Sequence, residues 1–350
     1  MSLKSEHIFL REIREQPAAI RDTLNGDRDE VSMAANFLEG KRLHLLGMGS
    51  SYFSSLYAKY LFQELMQRST ENYIASEFIH YPIPPTSNDV FVAISQSGES
   101  VETVKSAEYL RRRHALVLGI TNNPESKLAR LSNRVLFTRA GEERCSSTKT
   151  FTTTLALLYD LVSTLAVQAK KANRGSRERL LNHLMATTLT LERRFAEWEE
   201  ASRLWAGKLA NSRAATVIGR GPNLVAALQA ALLLKEVVKL PAEGMSGGEF
   251  SHGPIEAISD KFSVIVLGGG STWRLQIKLA KRAKSLGAQV LMLAPHEVRN
   301  MDSIGFGRID GPLMIFPLMI LLNLLTYYTA TRIGLNPDKF NVLSKITRRE

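Results

Sequence analysis

Short apolar runs recur along the chain, and each stops at glycines or small polar residues. Val90 to Ile94 (VFVAI) runs into SQSGES at 95–100, RLHLLG at 42–47 runs into MGSS, and AATVIG at 214–219 runs into RGPN. A continuous apolar run of this length bounded by turn residues is the pattern of a strand buried on both faces. Behind the turns the period changes, and SSLYAKYLFQELMQ and SVETVKSAEYLRRR read as helices. Buried strands alternating with helices predict parallel strands covered on both faces. The expected fold class is α/β, a doubly wound, three-layer αβα sheet of the flavodoxin-like kind.

The pattern occurs twice. Gly47 and Gly49 match Gly219 and Gly221 at an offset of 172 residues, and the same shift lays VAISQSGES on VIVLGGGST (Val264 to Thr272). ALVLGITNN from Ala115 and AQVLMLAPH from Ala288 keep the register within one residue. Three strand-turn units at one offset predict a duplicated domain. The expected organisation is an N-terminal helical segment at 1–26, a first α/β domain at 27–167, a helical connection at 168–200, a second α/β domain at 201–334 and a tail at 335–350.

Composition narrows the function classes. With 350 residues, 44% hydrophobic and 23% charged, the chain reads as a soluble globular protein with core enough for two domains. Its one cysteine, Cys145, excludes an internal disulfide and fits a reducing compartment. The opening MSLKSEHIFLREIREQP lacks the apolar stretch of an export signal, so a cytoplasmic location is expected. LMIFPLMILLNLL, Leu313 to Leu325, is too short to span a bilayer and is interrupted by Pro317 and Asn323. It reads as a buried helix with a proline near its start, and no membrane partner is expected. The formal charge of +11 suits an anionic partner. The basic residues are scattered, however, and the densest run, RRRH at Arg111 to His114, reads as a solvated helix end. Without zinc-finger spacing or an RNA-binding aromatic motif, nucleic acid is not expected. The seven histidines show no ligand spacing, so neither a metal nor a cofactor is expected.

The polar residues that end the strands are the candidate chemistry. In doubly wound sheets ligands bind beyond the carboxyl ends of the strands, where loops enter helix N-termini. Ser95, Gln96, Ser97, Gly98 and Ser100 put hydroxyls and backbone N–H groups at such a point, an arrangement suited to a phosphate. The second half has Gly268, Gly269 and Gly270 at the matching positions, so one anion site per chain is expected. A second hydroxyl-rich stretch, ERCSSTKTFTTT from Glu143, precedes another helix and either caps it or meets sugar hydroxyls.

GMGSSY, SQSGES, CSSTKTFTTT, LLLKEVVKLPAEGMSGGEFSHGP and the terminal LSKITRRE together resemble the sugar isomerase (SIS) family. The arrangement is the double one of the isomerase half of glutamine:fructose-6-phosphate amidotransferase, and it extends from about residue 28 to the end. The resemblance implies that Ser95, Gln96, Ser97 and Ser100 hold a sugar phosphate, with Ser51, Cys145 and Ser147 contacting the sugar. It implies a catalytic set of Glu236, His252 and Lys345. Each suits its role: a carboxylate moves a proton between C1 and C2, a histidine opens the ring near neutral pH, and a lysine forms a Schiff base with the open ketose. It further implies a homodimer in which His252 reaches the neighbouring subunit's site and the tail completes the site.

Two departures bear on the chemistry. The segment before the first sheet is too short to hold the amidotransferase's glutaminase domain, and Leu233 stands where those enzymes carry a lysine, three residues before Glu236 and on the same face of a regular helix. The expected activity is therefore that of a phosphosugar isomerase/deaminase, converting glucosamine 6-phosphate to fructose 6-phosphate and ammonia. The alternatives are a fructosamine-6-phosphate deglycase, an ammonia-dependent synthase-like isomerase and, in another class, a non-catalytic sugar-phosphate sensor.

Overall fold

The computed structural model describes residues 6–26, 28–309 and 311–342. The first half of the chain forms α1 (Ile8–Leu24), α2 (Arg28–Leu38), β1 (Arg42–Gly47), α3 (Ser50–Met66), β2 (Glu71–Ile74), α4 (Ala75–His80), β3 (Asp89–Ile94), α5 (Val101–Arg112), β4 (Leu116–Thr121), α6 (Lys127–Leu131), β5 (Arg134–Phe137) and α7 (Lys149–Gln168). A long helix, α8 (Arg174–Leu209), follows. The second half forms β6 (Ala214–Gly219), α9 (Pro222–Leu233), β7 (Ala242–Ser246), α10 (Gly247–Ser251), β8 (Phe262–Leu267), α11 (Trp273–Ser285), β9 (Gln289–Ala294), β10 (Asp302–Gly305) and α12 (Ile315–Arg332).

The strands make two five-stranded sheets, ordered β2-β1-β3-β4-β5 and β7-β6-β8-β9-β10. Every pairing is parallel. Each sheet thus has the 2-1-3-4-5 order of flavodoxin-like folds, whose ligand crevice lies at the switch point beside the first strand. The chain divides into two compact units. One holds the first sheet, with Gln16–Glu143 and Lys149–Thr188; the other holds the second sheet, with the chain up to Glu15, Arg144–Thr148 and Leu189–Asn341.

Buried apolar side chains build each unit. In the first, Leu46, Phe78, Phe91, Ala107, Leu110, Val117 and Leu128 form one cluster; in the second, Ile218, Phe250, Val264, Val266, Ala280 and Met292 form another. The segment 311–332 and α7 are the two helices among the described residues long and apolar enough to cross a membrane, and 100% and 94% of their apolar windows are buried inside the protein. They are core helices here, and Pro317 lies in the first turn of α12, as the sequence pattern predicts.

The same device turns β1 into α3 and β6 into α9. A Cβ on Gly47 would lie 2.6 Å from the Ser51 carbonyl carbon, and one on Gly219 would lie 2.1 Å from the Asn223 oxygen. No side chain fits between strand end and helix start, so the backbone itself lines the turn.

At the opposite end of the first sheet sits a buried ion group. Asp89, inaccessible to solvent, accepts from Arg42 Nε (2.6 Å) and Nη2 (3.0 Å), from His44 Nε2 (3.0 Å), and from the Thr86 N–H and hydroxyl (both 2.7 Å). The Arg42 guanidinium holds the Asp89 carboxyl far below the usual carboxylate range against the opposing pull of burial, with His44 and Thr86 adding to it. A depressed folded-state pKa makes the contribution complete above the unfolded value of about 4 and loses it as pH falls below that. Asp89→Asn is therefore expected to lower the melting temperature at pH 7 by about 5 °C or more, with the gap to wild type shrinking below about pH 4. Calorimetric scans across pH test this, and a gap that stays constant down to pH 3 would refute it.

Candidate functional site

The turn after β3 is ordered by its own hydroxyls. Ser95 Oγ accepts from the Gly98 N–H (3.2 Å) and donates to Ser100 Oγ (3.1 Å), while Ser97 Oγ accepts from the Glu99 N–H (3.2 Å). The Gln96 carbonyl accepts from the Asn122 N–H (2.9 Å) and from Thr121 Oγ1 (3.2 Å), which ties the turn to the end of β4. Gly98 is required twice over: its φ is +64°, and a Cβ there would lie 2.1 Å from Ser126 Oγ. Ser100 stands at the N-cap of α5, but its side chain makes no capping hydrogen bond. In the first turn of α5, Thr103 Oγ1 is buried without a hydrogen-bond partner. The start of this helix thus keeps hydroxyls unspent on capping, beside N–H groups at the positive end of the dipole. Ser51, in the first turn of α3, belongs to the same unit.

The corresponding turn after β8 is built differently. A Cβ on Gly268 would meet Trp273 Cζ3 at 2.3 Å, and one on Gly269 would meet Met314 Sδ at 2.5 Å. The Gly269 N–H is taken by Gln276 Oε1 at 2.9 Å. Bulky side chains and a glutamine fill the place that serines occupy in the first unit.

Glu236 lies where α9 stops being a regular helix. Residues Leu234–Val238 form a π-helical turn, closed by Lys239 in the left-handed region at φ 61° with its Nζ on the Glu236 carbonyl. Widened turns of this kind are rare and gather at functional sites. Regular spacing sets Leu233 and Glu236 on one face, but the π turn starts between them, and Leu233 is wholly buried while Glu236 is half-buried. The helix α12 packs against both α9 and this turn.

His252 closes α10 on an exposed turn, its N–H donating to the Glu249 carbonyl (3.0 Å). Gly253, at φ 148°, and Pro254 follow. The loop Arg144–Thr148 belongs to this same second unit. Its Ser147 carbonyl accepts from Gln229 Nε2 of α9 at 3.2 Å, so the structure joins the Cys145–Ser147 loop to the helix that leads into the π turn bearing Glu236. Cys145 is buried, its N–H donating to Glu12 Oε2 (3.3 Å) and its thiol to Asp338 Oδ1 (3.7 Å). Ser51, Ser95, Gln96, Ser97 and Ser100 lie in the first unit, and Glu236, His252, Cys145 and Ser147 in the second. Lys345 lies outside the described residues. Glu12 and Asp338 escape sequence reasoning: Glu12 reads as a helix-surface glutamate in REIREQP, and nothing near Asp338 marks it as a partner of residues 330 positions away.

A family model described as the SIS domain matches residues 37–164 and 208–300, the stretches that carry the first sheet and all of the second but its edge strand β10. The chain belongs to the SIS domain family. Among curated relatives, this SIS chain is 33% identical over 347 residues to glutamine–fructose-6-phosphate aminotransferase (isomerizing) of Thermococcus kodakarensis, an alignment that takes in 97% of the chain and spans 57% of that relative's length. Among solved structures, the C-terminal domain of glucosamine-fructose-6-phosphate aminotransferase from Francisella tularensis superposes with a TM-score of 0.84 at 24% identity, covering 95% of this SIS chain and 98% of that one. Glucosamine-6-phosphate deaminase from Thermotoga maritima superposes with a TM-score of 0.77 at 22% identity, covering 97% and 99%. At these identities the two structures speak for a shared fold.

Proposed function

We propose that the chain is a phosphosugar isomerase/deaminase that converts glucosamine 6-phosphate and water to fructose 6-phosphate and ammonia in the cytoplasm, without metal or cofactor. The asymmetry of the two sheets carries this reading: one strand-end turn is lined by Ser95, Ser97 and Ser100, and its counterpart is filled by Trp273 and Met314. Hydroxyls at a helix start without a strong cation suit a phosphate that must leave again as product. The deaminase among the fold's relatives supports the choice of substrate class.

In this reading the turn holds the phosphate, and Ser51, Gln96 and the Cys145–Ser147 loop orient the sugar. His252, supplied by a second copy of the chain, protonates the ring oxygen and takes the proton from O1, which opens the ring to the aldehyde. Glu236 removes the proton from C2 and returns it to C1, converting the aldehyde and C2 amine into a C2 imine bearing a C1 alcohol. Water adds to C2, the C–N bond breaks, and ammonia leaves with the ketone of fructose 6-phosphate. Lys345 in the tail supplies an amine that can act at C2 in place of water, expelling ammonia as it forms a Schiff base with the ketose, which water then hydrolyses to the ketone and free lysine.

The test is to incubate the protein with glucosamine 6-phosphate and follow ammonia and fructose 6-phosphate together. Equal release of both is expected. Replacing Ser97 and Ser100 together by Ala is expected to raise KM about tenfold or more, because charge-assisted hydrogen bonds to the phosphate are lost in ground and transition states alike. Tight binding of the sugar phosphate with no release of ammonia would overturn the deaminase reading and leave a deglycase or a non-catalytic sensor.

A further inference from the structure

Two carboxylates from distant parts of the chain converge on Cys145. Glu12, buried in α1, accepts from the Arg144 N–H through Oε1 (2.6 Å) and from the Cys145 N–H through Oε2 (3.3 Å). Asp338 takes the Cys145 thiol on Oδ1 (3.7 Å) and the first N–H groups of the same helix, Phe9 on Oδ1 (2.8 Å) and Ile8 on Oδ2 (3.0 Å). Helix α1 therefore grips the loop with a side chain from its second turn and grips the start of the tail with its own N-terminus. Ionised carboxylates accepting backbone N–H groups are the stronger kind of hydrogen bond, and one at a helix start also meets the dipole. A loop whose hydroxyls must meet a ligand needs such support, because its own polar groups cannot both hold the loop and bind.

We propose that Glu12 and Asp338 are positioning residues that clamp the Cys145–Ser147 loop in its sugar-binding geometry, and that Asp338 also fixes the point from which the tail runs on to Lys345. The inference rests on the reading of that loop as the sugar contact. In Glu12→Gln one oxygen becomes an NH2 group facing a backbone N–H, so donor meets donor and the loop is released. Asp338→Asn does the same at the start of α1.

Because Cys145 is the sole cysteine, its modification by 5,5′-dithiobis(2-nitrobenzoate) in the intact full chain reads the loop directly. Labelling is expected to be about tenfold faster in both variants. Calorimetric titration is expected to show fructose 6-phosphate binding about tenfold weaker, with inorganic phosphate, held at the other unit's serine turn, within twofold of wild type. Labelling as slow as wild type, or fast only in proportion to a globally unfolded fraction, would overturn the clamp. Unfolding of both variants would overturn it too, since the carboxylates would then be scaffold. Wild-type protein that binds inorganic phosphate but no sugar phosphate would instead sink the functional reading, and the labelling rates would still decide the clamp.

Discussion

Glu236→Gln is expected to slow the release of ammonia and fructose 6-phosphate by about a thousandfold and to leave KM within a factor of about three. The substitution keeps the size and shape of the side chain and the π-helical turn that presents it, but removes the carboxylate proposed as the base. Proton transfer between adjacent carbons needs a group that takes a proton and gives it back, and an amide does neither at neutral pH. The loss falls on turnover because the carboxylate is asked to act between ground state and transition state. Ser95, Ser97 and Ser100, proposed to hold the phosphate, lie in the other unit and are untouched. Parallel assays of both products against substrate concentration decide the matter. A residual rate within tenfold of wild type would remove Glu236 from the proton transfer.

The central strands were legible because burial on both faces writes a continuous apolar run, and β1, β3, β4, β6, β8 and β9 all show it. The edge strands were not. β2, β5 and β10 have four residues each and are partly exposed, as in Glu71–Ile74, so neither length nor alternation separates them from loop. The serine turn could be read because its residues are contiguous. The π turn could not, since Leu234–Val238 (LKEVV) has no glycine or proline to mark a break from the helix before it. Glu12 and Asp338 were invisible for a different reason. Their partners are set by tertiary contact alone, and a carboxylate held by backbone N–H groups has the same local sequence as a solvated one.

Mixing two inactive variants is expected to restore activity, which tests the sharing of sites between subunits. His252 sits exposed on the turn between α10 and Gly253. If it serves the neighbouring subunit, a dimer of one Glu236→Gln chain and one His252→Asn chain contains one site carrying both lesions and one site carrying neither. Random reassortment places about half of the dimers in this mixed form, so the mixture should regain about a quarter of wild-type activity although each parent is nearly inactive. Unfolding and refolding the two together, or co-expressing them with different tags and purifying on both, gives the mixed dimer for assay. Recovery fixes His252 as a residue acting across a symmetric interface, whereas no recovery from a confirmed mixed dimer would place it in the site of its own chain. The second outcome would require the turn at Gly253 and Pro254 to fold back toward Glu236, a rearrangement within one unit that cross-linking between positions 236 and 252 would detect.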